Sequence, residues 1–166
     1  MWLRCHNVAP NVIKVDDLFS MPIEIANKID HPCDERSIAS LMEFAFDSLG
    51  LDQECDLAIS IVGLEEMSEL HLQWMQEPGP TDVLSFPMDE ISLGEAGPGI
   101  LGDIVLCPEF AREGAQKAGS TLDEELQLLS IHGLLHLLGL DHREEEEAKA
   151  MFALQGEILG EWRSRS

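Results

Sequence analysis

Hydrophobic and polar residues recur along the chain with two different periods, and the change of period predicts where strands and helices lie. Alternation or a short apolar run is typical of a strand, whereas apolar residues three and four positions apart are typical of a helix. Four strands are predicted, at residues 22–27, 57–62, 82–86 and 102–107. Helices are predicted at residues 34–49, 64–76, 108–117 and from 121 to about 139. Strands and helices are therefore mixed throughout, with no internal repeat.

The first twenty residues differ from the rest because they show no sustained period. We expect residues 1–20 to be a loosely ordered extension or a misplaced start, followed by one domain at residues 21–162. With 166 residues, 45% of them hydrophobic, the chain is long enough for one sizeable core. No apolar run reaches the roughly 18 to 20 residues that span a bilayer, and Asp16 and Asp17 interrupt any signal peptide. We therefore expect a cytoplasmic protein with no membrane partner.

The four cysteines are widely scattered and include no closely spaced pair. Structural zinc sites favour such pairs, and a domain of this size does not need disulfides for stability. We interpret them as reduced thiols: Cys5, Cys33, Cys55 and Cys107.

The charge of the chain is strongly acidic. The chain has 10 Lys and Arg residues and 32 Asp and Glu residues, which gives a formal net charge of -22. Neither Lys nor Arg occurs between Arg36 and Arg112. A nucleic-acid binder normally carries a basic face that contacts phosphates. Composition by itself therefore argues against a nucleic-acid partner, and solubility or a salty cytoplasm is the ordinary explanation of the acidity.

The chemistry of the chain is concentrated in an apolar stretch, residues 131–140, within the last predicted helix. His132 and His136 lie four residues apart, so both imidazoles lie on one face of a helix, a turn apart. Gly139 is placed to end the helix and return the chain, which lets His142 approach the other two. A histidine pair in a Leu-rich helix is often only a hydrogen-bonded core feature, but the third histidine and the glycine favour a metal. Three histidines and an open fourth position are typical of a catalytic zinc site, so we predict one Zn²⁺ per chain.

The same spacing of three histidines occurs in metzincin peptidases, but one residue separates this chain from their mechanism. Those enzymes have a glutamate directly after the first histidine, as the general base, and this chain has Gly133. Asp141 or one of the glutamates at 144–147 replaces that base only if the fold turns it toward the metal. An acidic run at the start of a helix is more often a solvated face.

Three segments resemble one known family. HGLLHLLGLDH at 132–142, PTDVLSFP at 80–87 and GDIVLCPE at 102–109 are similar to the signature segments of the YbeY family, which are bacterial metal-dependent endoribonucleases of ribosomal RNA maturation and ribosome quality control. The resemblance covers about residues 21–160. It implies an α/β (α+β) fold, a single compact domain with a small mixed four-stranded sheet flanked by helices. It also implies zinc on the three histidines, and single-stranded RNA as the substrate.

One position departs from that family. Met75 stands where members typically carry an arginine that is thought to take part in RNA cleavage, and methionine cannot bind phosphate. Another cation takes over that role, or activity is weaker than the resemblance implies. The nearest candidates in sequence for RNA binding are Arg112, Lys117 and Arg143. On the same predicted helix, His71 is interpreted as a partly buried polar residue and Trp74 as a core aromatic rather than a base-stacking residue.

Polar residues of the other two segments are weaker candidates for the site. Thr81 and Asp82 are interpreted as pinning the start of a strand. Ser85 is a candidate to face the metal pocket. Asp103 is a candidate to orient a ligand histidine through a hydrogen bond, with a simple turn role as the alternative.

The predicted function is hydrolysis of an RNA phosphodiester by a water that zinc activates, including maturation of the small-subunit rRNA 3′ end. No general base is identified; Asp103, Asp141 and Ser85 are weak candidates for a catalytic role. Ribosomal RNA is the expected substrate, with ribosomal proteins or assembly factors as partners. Two alternatives stay open: a zinc peptidase or small-molecule hydrolase, and a non-catalytic ribosome-associated protein in which zinc only stabilises the fold.

Overall fold

The computed structural model describes residues 12–14, 23–94 and 97–166, with the first segment given by its backbone. Strands and helices follow one another along the chain. The strands are β1 (Val12–Lys14), β2 (Ile23–Asn27), β3 (Asp56–Ile61), β4 (Val83–Pro87) and β5 (Ile100–Leu106). The helices are α1 (Glu35–Leu49), α2 (Leu64–Met75), α3 (Pro108–Ala118), α4 (Leu122–Leu137) and α5 (Glu145–Arg165).

All four predicted strands and all four predicted helices are present, with small differences at their ends. β5 begins at Ile100, two residues before the predicted start. α4 ends at Leu137 rather than at Gly139. Within the segment at 1–20 only Val12–Lys14 is described, as a strand, and the expectation for the remainder of that segment lies outside the described residues.

The described strands form one mixed sheet in the order β1-β2-β3-β5-β4. β2, β3 and β5 are parallel, while β1 and β4 pair antiparallel at the two edges. The predicted mixed α+β domain is confirmed, and β1 adds a fifth strand to the four that the sequence predicted. Ser85 of β4 lies opposite Ile104 of β5, so these two side chains share a face of the sheet.

The two faces of the sheet are covered differently. On the first face, Ile25, Ile59 and Ile104 are almost fully buried under α1 and α4, and α5 packs on these two helices. The opposite face is covered by α2, whose Met67 packs in a smaller apolar cluster with Val105 of β5. The metal-site candidates of α4 therefore belong to the first face.

Helix α4 is the centre of the first layer. Its start is fixed by a capping box, in which the Thr121 hydroxyl accepts from the Glu124 N–H at 3.2 Å and the Glu124 carboxylate accepts from the Thr121 N–H at 2.8 Å. The predicted burial of its second half on nearly all sides is confirmed, since Ile131, Leu134 and Leu135 have no exposed surface. This burial follows from the position of α4 between the sheet and the three helices α1, α3 and α5.

The described cysteines are reduced thiols, as the sequence predicted. Cys33, Cys55 and Cys107 are free, and burial raises the pKa of each thiol, that of Cys33 to about 11. These thiols therefore stay protonated and unreactive at neutral pH. Within the described part of the chain, the helices are either too short or too polar to cross a bilayer.

Candidate metal centre

The three histidines converge at the carboxyl-terminal end of α4. Their ligand atoms all lie within 4.8 Å of one another, and the Nε2 atoms of His132 and His136 are 3.0 Å apart. His132 and His136 are half-buried on successive turns of α4, and His142 is exposed in the segment that follows. The structure thus brings together all three histidines that the spacing singled out.

The turn after α4 is what returns His142 to the helix. Gly139 adopts a left-handed conformation with φ of 86°, which glycine reaches without steric cost. Its N–H donates to the His136 carbonyl at 3.0 Å, and the Leu140 N–H donates to the Leu135 carbonyl at 3.0 Å. These bonds close the helix end and reverse the chain within a few residues.

Hydrogen bonds on the far side of each ring decide which nitrogen faces the site. His136 donates from Nδ1 to the carbonyl of Leu140 at 2.9 Å, and His132 donates from Nδ1 to Oε1 of Gln155 at 3.0 Å. Because each neutral imidazole carries one proton, both Nε2 atoms are left with a lone pair. Two lone pairs that face each other at 3.0 Å repel unless a cation lies between them.

That donor set fits a metal ion. Nitrogen ligands at about 2.0–2.1 Å from a tetrahedral ion lie about 3.3 Å from one another, which is close to the observed separation of the two Nε2 atoms. Hydrogen bonds from the opposite ring nitrogen are also typical of metal-ligating histidines. The arrangement is a metal-binding histidine triad by the chemistry of its donors.

The local environment keeps the two helical histidines neutral. Desolvation lowers the pKa of His132, and a nearby His142 lowers it further, although Gln155 and Asp82 act in the opposite sense. Desolvation also lowers the pKa of His136, followed by the charge of His132. Neutral imidazoles are the form that binds a metal, so these two ligands are ready at neutral pH.

Gly133 has a packing role that excludes a peptidase glutamate. A Cβ at this position would lie 2.9 Å from Cγ2 of Ile104 and 3.1 Å from Oγ of Ser85. A side chain at 133 therefore meets Ile104 and Ser85 of the sheet before it can extend toward the histidines. The glycine permits the close approach of α4 to β5, and a glutamate here would require Ile104 or Ser85 to shift.

Several known proteins that are similar to this chain belong to one enzyme family. The family model described as Endoribonuclease YbeY matches residues 23–163. The chain belongs to the YbeY family. Because the match includes α4, most of α5 and the strands β2 to β5, the triad lies inside the shared domain.

Individual relatives are similar over most of their length. Endoribonuclease YbeY of Saccharopolyspora erythraea is 51% identical over 150 residues, 87% of this chain and 82% of the relative. Endoribonuclease YbeY of Nocardia farcinica is 50% identical over 148 residues, which are 86% of this chain and 80% of the relative. Endoribonuclease YbeY of Thermobifida fusca is 48% identical over 147 residues, which are 86% of this chain and 95% of the relative. The solution structure of TM1509 from Thermotoga maritima, 28% identical, aligns with a TM-score of 0.55 over 86% of this chain and 93% of its own.

Helix α2 contains Met75, the position at which this YbeY-family chain differs from the family pattern. Met75 is 44% exposed in its last turn. His71 donates from Nδ1 to the Gly79 carbonyl at 2.8 Å, and its Nε2 lies 3.3 Å from Oε2 of Glu77. These contacts hold the turn after the helix, which agrees with the interpretation of His71 as a partly buried polar residue. The interpretation of Trp74 as a core aromatic is wrong, because it is 44% exposed, with its ring edge-on to Phe86 at 6.1 Å.

Two of the weak catalytic candidates lie on the sheet, and the structure separates them. Ser85 lies under α4, where its hydroxyl donates to the carbonyl of Gly133 at 3.2 Å. Asp103 precedes Ile104 on β5 and therefore points to the opposite face of the sheet. It does not meet the histidines, and the acceptors at their Nδ1 atoms are Gln155 and Leu140 instead.

Two aspartates, Asp82 before β4 and Asp141 before His142, each accept a hydrogen bond from the backbone N–H of the next residue. Asp82 accepts from the Val83 N–H at 2.8 Å and from the Thr81 hydroxyl at 3.3 Å, so it pins the start of β4 as predicted. Asp141 accepts from the His142 N–H at 2.7 Å, and this bond is the main reason that its pKa is lowered. Asp141 stays ionised beside the third ligand.

The three cationic candidates are placed at different distances from the triad. Arg143 is adjacent to His142 and pairs with Asp141 at 3.0 Å. Lys117 pairs with Glu113 before the start of α4, and ten residues of helix, about 15 Å of rise, separate Leu122 from His132. Arg112 donates to the ring of His31 at 3.4 Å, in the loop before α1. Of these cations, Arg143 is the one that the structure places beside the site.

Two residues of the site were not found from the sequence, and both lie on α5. Gln155 is 8% exposed and accepts from His132, while Phe152 is 49% exposed with its ring beside the same histidine. A glutamine at a core position of an otherwise apolar helix face was a usable signal. It did not indicate which histidine the glutamine would meet.

Proposed function

We propose that this chain is a zinc-dependent endoribonuclease that cleaves single-stranded RNA, acts in maturation of the small-subunit ribosomal RNA and takes part in ribosome quality control. The observation that carries the proposal is the pair of Nε2 lone pairs of His132 and His136, 3.0 Å apart with both Nδ1 protons engaged elsewhere. Membership of the YbeY family supports RNA as the substrate.

Zinc is proposed as the ion, one per chain, with His132, His136 and His142 as ligands. Three imidazoles and an open position suit zinc, and they also suit nickel and copper, which bind nitrogen ligands strongly. The chemistry that zinc supplies at such a site is Lewis acidity, which polarises a phosphoryl oxygen and lowers the pKa of a water toward about 7.

The chain's own residues prepare the site. Gln155 and the Leu140 carbonyl hold the two helical imidazoles in the tautomer that directs Nε2 at the ion. Asp141 fixes the backbone N–H of His142 and orients Arg143, whose guanidinium is the proposed contact for an RNA phosphate. Ser85 holds the backbone of the ligand helix through Gly133 and is proposed as a structural support rather than a proton carrier.

Partners follow from the charge of the chain. A net charge of -22 opposes tight binding to RNA, so a basic protein partner is needed to bring the enzyme to its substrate. We propose ribosomal proteins or assembly factors in the cytoplasm for this role.

A peptidase is not favoured, because Gly133 packs against Ile104 where the general base would stand. A non-catalytic zinc protein of the ribosome is the second candidate, and one observation favours it: Met75, an exposed thioether, stands where an arginine is expected to assist cleavage.

The test compares the wild-type protein with His136→Ala and with a control at another partly buried histidine outside the triad, His31→Ala. Metal content is measured by mass spectrometry, and cleavage is measured on single-stranded RNA, the same RNA in a duplex, and casein. We expect single-stranded RNA alone to be cut, cleavage to stop with a chelator and return with zinc, and His136→Ala to lose both metal and cleavage while His31→Ala keeps both.

Three results would contradict parts of this proposal. RNA cleavage by metal-free His136→Ala protein would remove the metal from the mechanism. Cleavage of casein would favour the peptidase. A wild-type protein that holds one zinc and cuts neither substrate would favour the non-catalytic candidate.

A further inference from the structure

An exposed aromatic ring lies directly beside the metal centre. Phe152 of α5 is 49% exposed, although burial of a phenylalanine is favourable. Its ring is nearly parallel to the ring of His142, with centroids 5.9 Å apart and planes at 17°. It is also nearly parallel to the ring of His132, with centroids 6.3 Å apart and planes at 14°. The exposed surface of Phe152 therefore borders the position of the ion.

Packing of α5 does not account for this ring. The helix is held by Met151, Ile158 and Leu159, which are buried in the core. Phe152 lies on the side of the helix that faces the histidines, one turn before Gln155, which bonds His132. One face of α5 thus forms a wall of the site, with a polar residue that orients a ligand and an aromatic residue open to solvent.

We infer that Phe152 is a nucleobase-stacking residue that positions single-stranded RNA at the metal centre. The inference rests on the proposed function. An unpaired base stacks on an exposed aromatic ring, whereas a base within a duplex has both faces covered by its neighbours. Because the Phe152 ring lies about 6 Å from the rings of His132 and His142, a base stacked on it is held next to the metal centre.

The charges around the site make an uncharged contact important. Arg143 is the cation beside the triad and it is already paired with Asp141, while the glutamates at 144–147 follow in the same segment. Attraction between the protein and phosphates is weak in such a field. Stacking does not depend on charge and tolerates every base, which suits an enzyme that must hold RNA without a basic surface.

Four variants test the role of the ring. Phe152→Ala removes the ring, Phe152→Leu keeps an apolar wall without a stacking surface, and Phe152→Trp keeps stacking and adds a fluorophore. Phe110→Trp is the matched control, since Phe110 is a phenylalanine of similar exposure, 37%, on α3. Metal affinity, KM and kcat on a short single-stranded RNA, and tryptophan fluorescence on rapid mixing with that RNA are measured for each full-length protein.

We expect zinc affinity to be unchanged in all four variants. KM should rise roughly 5- to 150-fold in Phe152→Ala and Phe152→Leu, the range for loss of one base–aromatic stack, with a smaller change in kcat. The wild type contains three tryptophans, so its response is subtracted from that of each variant. The remaining fluorescence of Phe152→Trp should be quenched by single-stranded RNA and not by the duplex, and that of Phe110→Trp by neither. An oligonucleotide with abasic residues should bind the wild type as weakly as intact RNA binds Phe152→Leu.

Failure of this inference differs from failure of the proposed function. If the wild type neither cuts nor binds single-stranded RNA, the proposed function fails. If the wild type cuts RNA and Phe152→Leu has the same KM, stacking is overturned while the function stands. Loss of zinc in Phe152→Leu would also overturn it, by assigning the ring to support of the ligands.

Discussion

The orientation of one imidazole depends on one buried amide. Gln155 accepts from Nδ1 of His132, and this bond holds Nε2 toward the other ligands. Partners of this kind contribute to metal affinity although they do not touch the metal. The chain offers a control in Gln127 of α4, which is equally buried at 8% exposure and bonds Ser37 and Arg163 instead.

We therefore expect Gln155→Ala to lower zinc affinity about 10- to 100-fold, because His132 loses its fixed orientation. Gln127→Ala should destabilise the fold without changing zinc affinity, and Gln155→Glu should restore binding because a carboxylate accepts the same hydrogen bond. Competition with a chromophoric chelator measures the affinities. Equal loss of zinc affinity in the two alanine variants would mean that Gln155 acts only on packing.

The protonation of His132 and His136 gives a prediction on pH for the metal-free protein. Desolvation lowers the pKa of both rings below the ordinary value of about 6.5. In NMR titrations their midpoints should therefore lie below 6.5. The unfolded chain binds these protons first as pH falls, so the free energy of unfolding should decrease from pH 6.5 down to the lowered midpoints.

A control removes one of the two groups. His132→Gln should make the pH dependence of unfolding shallower over that range, when urea denaturation is measured at each pH. Midpoints above 6.5 would show that the rings gain a charged partner in the folded protein, in contradiction to their burial.

At the scale of elements, the position of α4 on the sheet depends on Gly133. A Cβ there would lie 2.9 Å from the fully buried Ile104, in the middle of β5, where neither atom can move freely. A Cβ at Gly156, in the interior of α5, would have no such neighbour within 4 Å. The two glycines therefore differ in packing while both occupy helix interiors.

Alanine at these two positions should have opposite effects on stability. Gly133→Ala should lower the free energy of unfolding, because overpacking costs about 1–3 kcal/mol and exceeds the helix-propensity gain of about 0.5–1 kcal/mol. Gly156→Ala should raise it by about that gain. Urea denaturation measures both, and an equal stabilisation by the two substitutions would mean that α4 does not approach the sheet so closely.

At the scale of the whole molecule, acidic charge dominates the surface and few cations border the site. The logarithm of the RNA affinity falls linearly with the logarithm of salt concentration. On a single strand the slope is about −0.7 for each phosphate that a cation contacts, so the slope reports the number of such contacts. Only Arg143 among the candidates lies beside the triad, and Lys117 is paired with Glu113 before α4 begins.

The logarithm of the affinity for single-stranded RNA should therefore fall with the logarithm of salt concentration with a slope shallower than about −2. Arg143→Ala should reduce the slope by about 0.7, and Lys117→Ala should leave it unchanged. Fluorescence anisotropy of the metal-free proteins measures the binding without turnover. A steep slope that Arg143→Ala does not alter would place the RNA on another surface.

Much of the fold and the ligand set could be predicted because they depend on short stretches of chain. The period of apolar residues decides between strand and helix locally, and it placed all four predicted strands and helices. His132, His136 and His142 lie within eleven residues, where helical spacing and the turn at Gly139 determine their approach. The triad was therefore accessible without tertiary structure.

What only the tertiary structure decided is which separate elements meet. Alternation along β5 shows that Asp103 and Ile104 face opposite ways, but the packing of α4 on one face decides that Asp103 is the one turned from the histidines. Gln155 and Phe152 reach the site from α5 because that helix packs across α4. Contacts between residues far apart in sequence depend on how helices pack on the sheet, and local periodicity contains no measure of that packing.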